Sequence, residues 1–325
     1  MPVLRRRTVL ASALAVPAAQ AGWTSQPARA SPVPLAGQQA PSFFRYRVGA
    51  LQVTAVHDGM AYRSLDGFVP NAPPGAVQQA LADAFLTTDR FPITFTTLVI
   101  NTGRKLVLID TGNGDLGAPT SGTWMTNFRA AGFTPDQVDT VVFSHFHADH
   151  INGFRLKDGT AVFPNAEIMV PEAEWAFWTS ASEAARAPAG LKPNFDNVAR
   201  VFGPVKDHVT PYAWDREILP GITAIKAEGH TPGHTCFAIV SDNARLLVLS
   251  DITNQPLIFA RHPEWSAVFD QDAAAARATR RRMLDLAATE RMQVAFYHAS
   301  FPATGHIERE GDGYRLAPAL WNSQA

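Results

Sequence analysis

The sequence predicts an α/β fold, and three observations predict it. Short apolar runs rich in β-branched residues recur at 106–109, 138–143, 167–170, 222–225, 236–240, 245–249 and 292–297. Runs of that length between turn residues read as buried strands. Longer stretches with helical apolar spacing separate them, at 76–86, 124–131, 171–185 and 271–288. Finally, four of the strand-like runs end at or near a histidine or aspartate. With 325 residues, 46% of them hydrophobic, the chain has ordinary globular composition and enough apolar material for a substantial core.

Residues 1–30 are set aside as a targeting segment. Arg5, Arg6 and Arg7 precede Leu10 and an Ala-rich apolar stretch, and Ala-x-Ala sites occur at Ala19-Gln20-Ala21 and Ala28-Arg29-Ala30. Paired arginines ahead of a short apolar core read as a twin-arginine export signal to a bacterial periplasm. The core is too short to span a bilayer, so no membrane anchor is expected after cleavage. The segment holds four of the 28 basic residues and none of the 29 acidic ones, so its removal takes the net charge from −1 to −5. Residues 31–41, rich in Pro, Gly, Gln and Ser, read as a linker, and residues 42–325 as the folded domain.

Within that domain, 43–56 reads as an opening strand ending at His57-Asp58-Gly59, with His57 structural. Residues 62–74 have loop composition; Leu65 and Phe68 are candidate apolar substrate contacts. A helix is expected over 76–86, and a hairpin turning at Thr102-Gly103-Arg104 joins strands 93–101 and 105–110. A helix over 124–131 stops at Gly132. Another opens at Pro171, where proline suits the first turn; its Trp178 reads either as core or as a pocket wall. Residues 187–214 are Pro-interrupted and weakly periodic, the expected lid or insertion, with Phe195 a substrate-contact candidate. Over 271–288, Arg277, Arg280, Arg281 and Arg282 read as a solvated helix face, too small a basic surface for nucleic acid. Cys236, the only cysteine, excludes an intramolecular disulfide and reads as buried filler.

The chemistry concentrates in Ser144-His145-Phe146-His147-Ala148-Asp149-His150, directly after the strand-like run 138–143. Three of the chain's ten histidines and one aspartate crowd into six positions. Neutral imidazoles suit zinc, iron or manganese, and a carboxylate adds a hard anionic ligand. A single tetrahedral site takes about four ligands, one position being left open in a catalytic site. Further ligand candidates at the ends of other strand-like runs, namely His230, Asp251 and His298, therefore suggest a second ion.

With these elements in view the chain resembles the metallo-β-lactamase superfamily. The matching segments are Leu106 to Gly112, the His145 to His150 cluster, Gly229-His230-Thr231-Pro232-Gly233-His234-Thr235, Ser250-Asp251 and Tyr297-His298. Within it the chain looks most like the methyl parathion hydrolase group, close to the lactonases. The narrower likeness rests on Phe163-Pro164-Asn165-Ala166-Glu167, Phe177-Trp178, Ser300 to Ile307 and Gly311-Asp312-Gly313-Tyr314-Arg315. The resemblance implies a four-layer αβ/βα sandwich. It implies one ion on His145, His147 and His230, and another on Asp149, His150 and His298. Asp251 would bridge both, with Asp110 and His234 orienting ligands from behind. One departure is Ile151-Asn152-Gly153 where family members carry x-Gly-Gly; asparagine tolerates a left-handed backbone, so the turn is expected to survive.

Two divalent ions, zinc or else manganese, iron or cobalt, would hold a bridging water and lower its pKa toward neutrality. Asp149 and Asp251 would balance charge and carry the proton to the leaving group. The expected reaction is hydrolysis of an ester-like bond in a small apolar molecule: a lactone, an aryl ester or a phosphotriester. A β-lactamase or a thioester hydrolase on the same fold is the alternative, although no cysteine lies near Asp251. A non-catalytic periplasmic binding protein is disfavoured because every ligand is present. A homodimer is compatible with the chain.

Overall fold

In the computed structural model, residues 33–323 are described; the expected export signal lies outside them. The chain divides into two units at Gln39/Ala40, and both of its sheets belong to the second unit. The first sheet consists of β1 (Phe43–Val48), β2 (Leu51–Ser64), β3 (Arg90–Asn101), β4 (Leu106–Ile109), β5 (Thr140–Val142), β6 (Glu167–Pro171) and β7 (Val209–Tyr212), in that spatial order. The second runs β8 (Arg216–Leu219), β9 (Ile222–Lys226), β10 (Thr235–Ser241), β11 (Ala244–Val248), β12 (Gln293–Ala295), β13 (Thr304–Glu310) and β14 (Gly313–Pro318). Both sheets are mixed: β4 to β7 pair in parallel, as do β11 and β12, and the remaining neighbours are antiparallel.

Strand alternation explains the layers. Successive side chains face opposite sides of a sheet. Leu98, Ile100, Val107 and Ile109 therefore meet Phe237, Ile239, Leu246 and Val248 from the other sheet in a central core. Their neighbours Val99, Leu106 and Leu108 point outward, onto the helices. The helices are α1 (Ala76–Asp83), α2 (Trp124–Ala130), α3 (Ala148–Ile151), α4 (Glu172–Trp178), α5 (Ala181–Arg186), α6 (Lys192–Phe202), α7 (Pro256–Phe259) and α8 (Ala273–Thr289). Trp124, Phe128, Trp178, Phe195 and Phe202 cover the outer face of the first sheet, and Met283, Leu284 and Ala287 that of the second. The result is the four-layer αβ/βα sandwich expected from the sequence. No helix among the described residues is long and apolar enough to cross a membrane.

Four local expectations need correction. The opening segment forms two strands, and β2 does not end at His57-Asp58-Gly59 but passes through it on a bulge to Ser64. The helix expected over 171–185 is two, α4 and α5. Residues 187–214, read as a weakly periodic lid or insertion, hold a regular helix, α6, which begins at Lys192-Pro193, and the strand β7. A proline in the first helical turn is a start signal, since the N–H it lacks would have no partner there.

The fourth concerns α8. Ala276, Arg280, Met283, Leu284 and Ala287 share its buried stripe, so Arg280 is core rather than solvated surface. Its guanidinium donates to the carbonyls of Ile252, Pro263 and Trp265 and faces Asp270. These acceptors make burial of the charge tolerable.

Candidate metal centre

Each sheet delivers ligand candidates to one rim. The loop after β5 carries His145 and His147, and α3, which continues it, carries Asp149 and His150; the β9–β10 connection carries His230; Asp251 and His298 follow β11 and β12. Ligand-capable atoms of His145, His147, His230 and Asp251 lie within 4.8 Å of one another, and those of Asp149, His150 and His298 do likewise. Asp251 touches both groups: Oδ2 is 3.4 Å from His230 Nε2 and 2.8 Å from His298 Nε2, and Oδ1 is 3.2 Å from His150 Nε2. All seven residues singled out in the sequence thus meet.

Four imidazoles are fixed from behind. His150 Nδ1 meets Asp110 Oδ2 at 2.8 Å, His230 Nδ1 meets Asp270 Oδ1 at 2.9 Å, and His298 Nδ1 meets Thr94 O at 2.8 Å. His145 Nδ1 lies 3.0 Å from Ser144 Oγ, which itself donates to Asp110 Oδ2 at 2.7 Å. Holding Nδ1 as donor leaves Nε2 with its lone pair aimed at the centre, the usual way a protein orients a metal-binding histidine. His147 differs, presenting Nδ1 2.9 Å from His230 Nε2. His234 accepts from the Asp251 backbone N–H at 3.0 Å and its Nδ1 meets Ala227 O at 2.8 Å, so it holds the Asp251 turn.

The donor set fits divalent metal. His145 Nε2, His150 Nε2 and Asp251 Oδ1 are buried without a hydrogen-bond partner, and such atoms are costly unless something satisfies them. Burial, then the charge of His150, holds the His145 imidazole well below its ordinary pKa; burial and His230 do the same for His147. Burial, followed by His230, pushes His234 down to about 3. His145 and His147 thus keep the neutral lone pairs that coordination needs. At His150 and His230 burial is outweighed by neighbouring carboxylates, Asp251 foremost. These raise His150 well above its ordinary range and His230 to about 9, so an ion there would displace a proton. Burial would raise the Asp251 carboxyl, but His150 and His298 hold it well below the usual range.

The cluster opens into a cavity of about 540 Å³ whose walls include Arg63, Ile93, Phe95, Leu191, Asn254 and Phe269. The four substrate-contact candidates are not among its lining residues. Phe68 is buried behind it, stacked on Phe91 at 4.3 Å and edge-on to Phe269 at 5.6 Å. Leu65 packs in the same apolar cluster. Trp178 and Phe195 pack together at 4.7 Å and border a separate cavity of about 600 Å³ between α4, α5 and α6. Helix phase decides this: Trp178 sits on the inner face of α4, and its indole N–H donates to Glu174 at 2.7 Å. From the insertion, Pro188, Gly190, Leu191 and Asn194 reach the metal-side cavity.

Two residues that the sequence left unmarked act here, Asp270 and Glu174, together with Arg280, which the sequence placed on a solvated face. Arg280 and Glu174 did leave a signal, since each falls in phase with apolar neighbours on its helix. Asp270 left none. Asn152 also departs from the left-handed turn expected of it. Its φ is −65°, right-handed, and its side chain accepts from Arg200 at 2.7 Å. The constrained position is Gly153, where a Cβ would stand 1.8 Å from Thr111 O.

Comparison with known proteins agrees with this fold. A family model described as the metallo-beta-lactamase superfamily matches residues 90–291. The hydrolase AbOPH of the beta lactamase superfamily superposes with a TM-score of 0.82 at 27% identity, covering 88% of this chain and 100% of that one. AidC, a dizinc quorum-quenching lactonase, superposes with a TM-score of 0.81 at 25% identity, covering 87% and 99%. An N-acyl homoserine lactonase of Bacillus cereus is 25% identical over 126 residues, 39% of this chain and 42% of the relative. The matched stretch thus spans less than half of that curated relative.

Proposed function

The chain belongs to the metallo-β-lactamase superfamily, and from that premise we propose that it is a dinuclear metal-dependent hydrolase of small apolar esters, lactones foremost. The observation that carries this reading is the pair of adjoining ligand groups sharing Asp251 at the floor of one cavity. Lactonase relatives support the lactone preference. Ile93, Phe95, Leu191 and Phe269 offer an apolar wall, and Asn254 a polar contact, the usual mixture in a small-molecule site.

His145, His147, His230 and Asp251 would hold one ion, and Asp149, His150, His298 and Asp251 the other. Bound divalent ions supply Lewis acidity and a water of lowered pKa. The protein's own part is orientation and proton handling. Asp110, Asp270, Ser144 and Thr94 O hold the Nδ1 atoms of four imidazoles, which would leave their Nε2 atoms for the ions. The Asp149 carboxylate is 24% exposed toward the cavity and Asp251 only 2%, so Asp149 is the group placed to carry a proton from the water to the leaving alkoxide. The apolar wall seats the substrate and excludes bulk water from the bond to be cleaved.

The test is metal content per chain, with turnover of a lactone, an aryl ester, a phosphotriester and a cephalosporin measured side by side. Two ions per chain and the highest kcat/KM on the lactone are expected. Undiminished turnover by metal-stripped protein would sink the reading.

A further inference from the structure

Glu174 supplies no ligand atom and does not line the metal-side cavity, yet it is completely buried on the inner face of α4. Burying a carboxylate is expensive unless donors surround it, and four do. Oε1 accepts from Phe146 N at 2.9 Å and Trp178 Nε1 at 2.7 Å. Oε2 accepts from Thr231 Oγ1 at 2.9 Å and Gly233 N at 2.7 Å. Phe146 lies between His145 and His147, and Thr231 follows His230. One carboxylate therefore grips the ligand loop of the first sheet and the ligand turn of the second. Packing leaves no slack, since a Cβ on Gly233 would stand 2.2 Å from Glu174 N.

We propose that Glu174 is a positioning residue, a clamp that fixes the spacing of His145, His147 and His230 and so the affinity of the ion they hold. The proposal rests on the reading of the cluster as a metal centre. Its effect is confined to one ion of two, because the other group is tied elsewhere. His150 is fixed by Asp110, His298 by Thr94 O, and the Asp149 carbonyl by the Tyr297 hydroxyl at 2.5 Å.

Glu174→Gln is nearly isosteric but sets an amide N–H2 against two of the four donors. Metal-stripped wild type and Glu174→Gln are titrated with Zn²⁺ against a chelator of known affinity, and zinc per chain is measured after dialysis. Two zinc ions are expected for wild type. For the variant, one site should keep its affinity and the other weaken by about 10–100-fold, the usual cost of losing an orienting partner. Thr231→Val, which removes the hydroxyl, should weaken the same site, and Thr231→Ser, which keeps it, should not. Should Glu174→Gln fail to fold, this pair carries the test.

Wild type that binds no zinc removes the metal-centre reading and the clamp with it. Wild type that binds two, with both ions held equally tightly in Glu174→Gln and Thr231→Val, overturns the clamp alone. A lower unfolding temperature with unchanged zinc affinities overturns it also.

Discussion

Asp270 Oδ1 lies 2.9 Å from His230 Nδ1, and Oδ2 of the same carboxylate faces the buried Arg280 guanidinium at 3.5 Å. A cation in the core of α8 is thereby linked to a ligand candidate through one acid. Removing that acid strands the guanidinium, and an uncompensated buried charge costs about 3–5 kcal/mol. Asp270→Ala should lower the unfolding free energy of metal-free protein by that order in urea. Asp270→Asn should cost less stability but weaken zinc binding by about tenfold. Equal stability of Asp270→Ala and wild type would show that Arg280 does not depend on Asp270.

His147→Ala removes the one histidine of its group that presents Nδ1. It should lose one zinc per chain and reduce lactone turnover at least ~100-fold, measured by elemental analysis and initial rates. Full activity with one ion would mean that a single ion suffices.

Phe68 and Phe269 make a contrasting pair. Phe269 lines the cavity, so Phe269→Ala should raise KM for an apolar lactone by about tenfold, equivalent to ~1.4 kcal/mol, with zinc content unchanged. Phe68 is buried against Phe91, so Phe68→Ala should cost about 3–5 kcal/mol of stability. Steady-state kinetics and denaturant titration on both variants separate the two roles.

Gly153→Ala forces a methyl to within 1.8 Å of Thr111 O. Thr111 N and Oγ1 both donate to the carbonyl of His150, each at 2.8 Å, so relief must move the ligand loop. A loss of about 3 kcal/mol in stability, together with weaker zinc binding, is the expected result. Asn152→Gly should matter far less, since Asn152 has an ordinary backbone conformation.

The seven ligand candidates were legible because chemistry and position coincided: histidine and aspartate at the ends of β-branched runs. Strands were legible wherever apolar runs were short and bounded by turns, as at 106–109 and 245–249. Of the partners that hold the ligands, Asp110 and His234 were expected from the family resemblance and stand behind His150 and the Asp251 turn, but Glu174 and Asp270 were not foreseen. Glu174 and Asp270 are acids, and an acid reads as solvent-facing until its donors are known. Those donors lie 28 to 59 positions from Glu174 along the chain for Phe146, Thr231 and Gly233. Arg280 misled in the same way, because neighbouring Arg281 and Arg282 are exposed. Aromatics misled for the opposite reason: Trp178 and Phe195 suit a pocket wall by type, but their helix faces turn them into the core.

The chain passes from one sheet to the other once, between Tyr212 and Arg216, while the ligand rim draws His145 to His150 from before that crossing and His230, Asp251 and His298 from after it. Severing the backbone there would leave two fragments, each carrying an incomplete coordination sphere. Zinc retention by a mixture of the two would then report reassembly of the halves, making the ion a probe for complementation as well as a reagent.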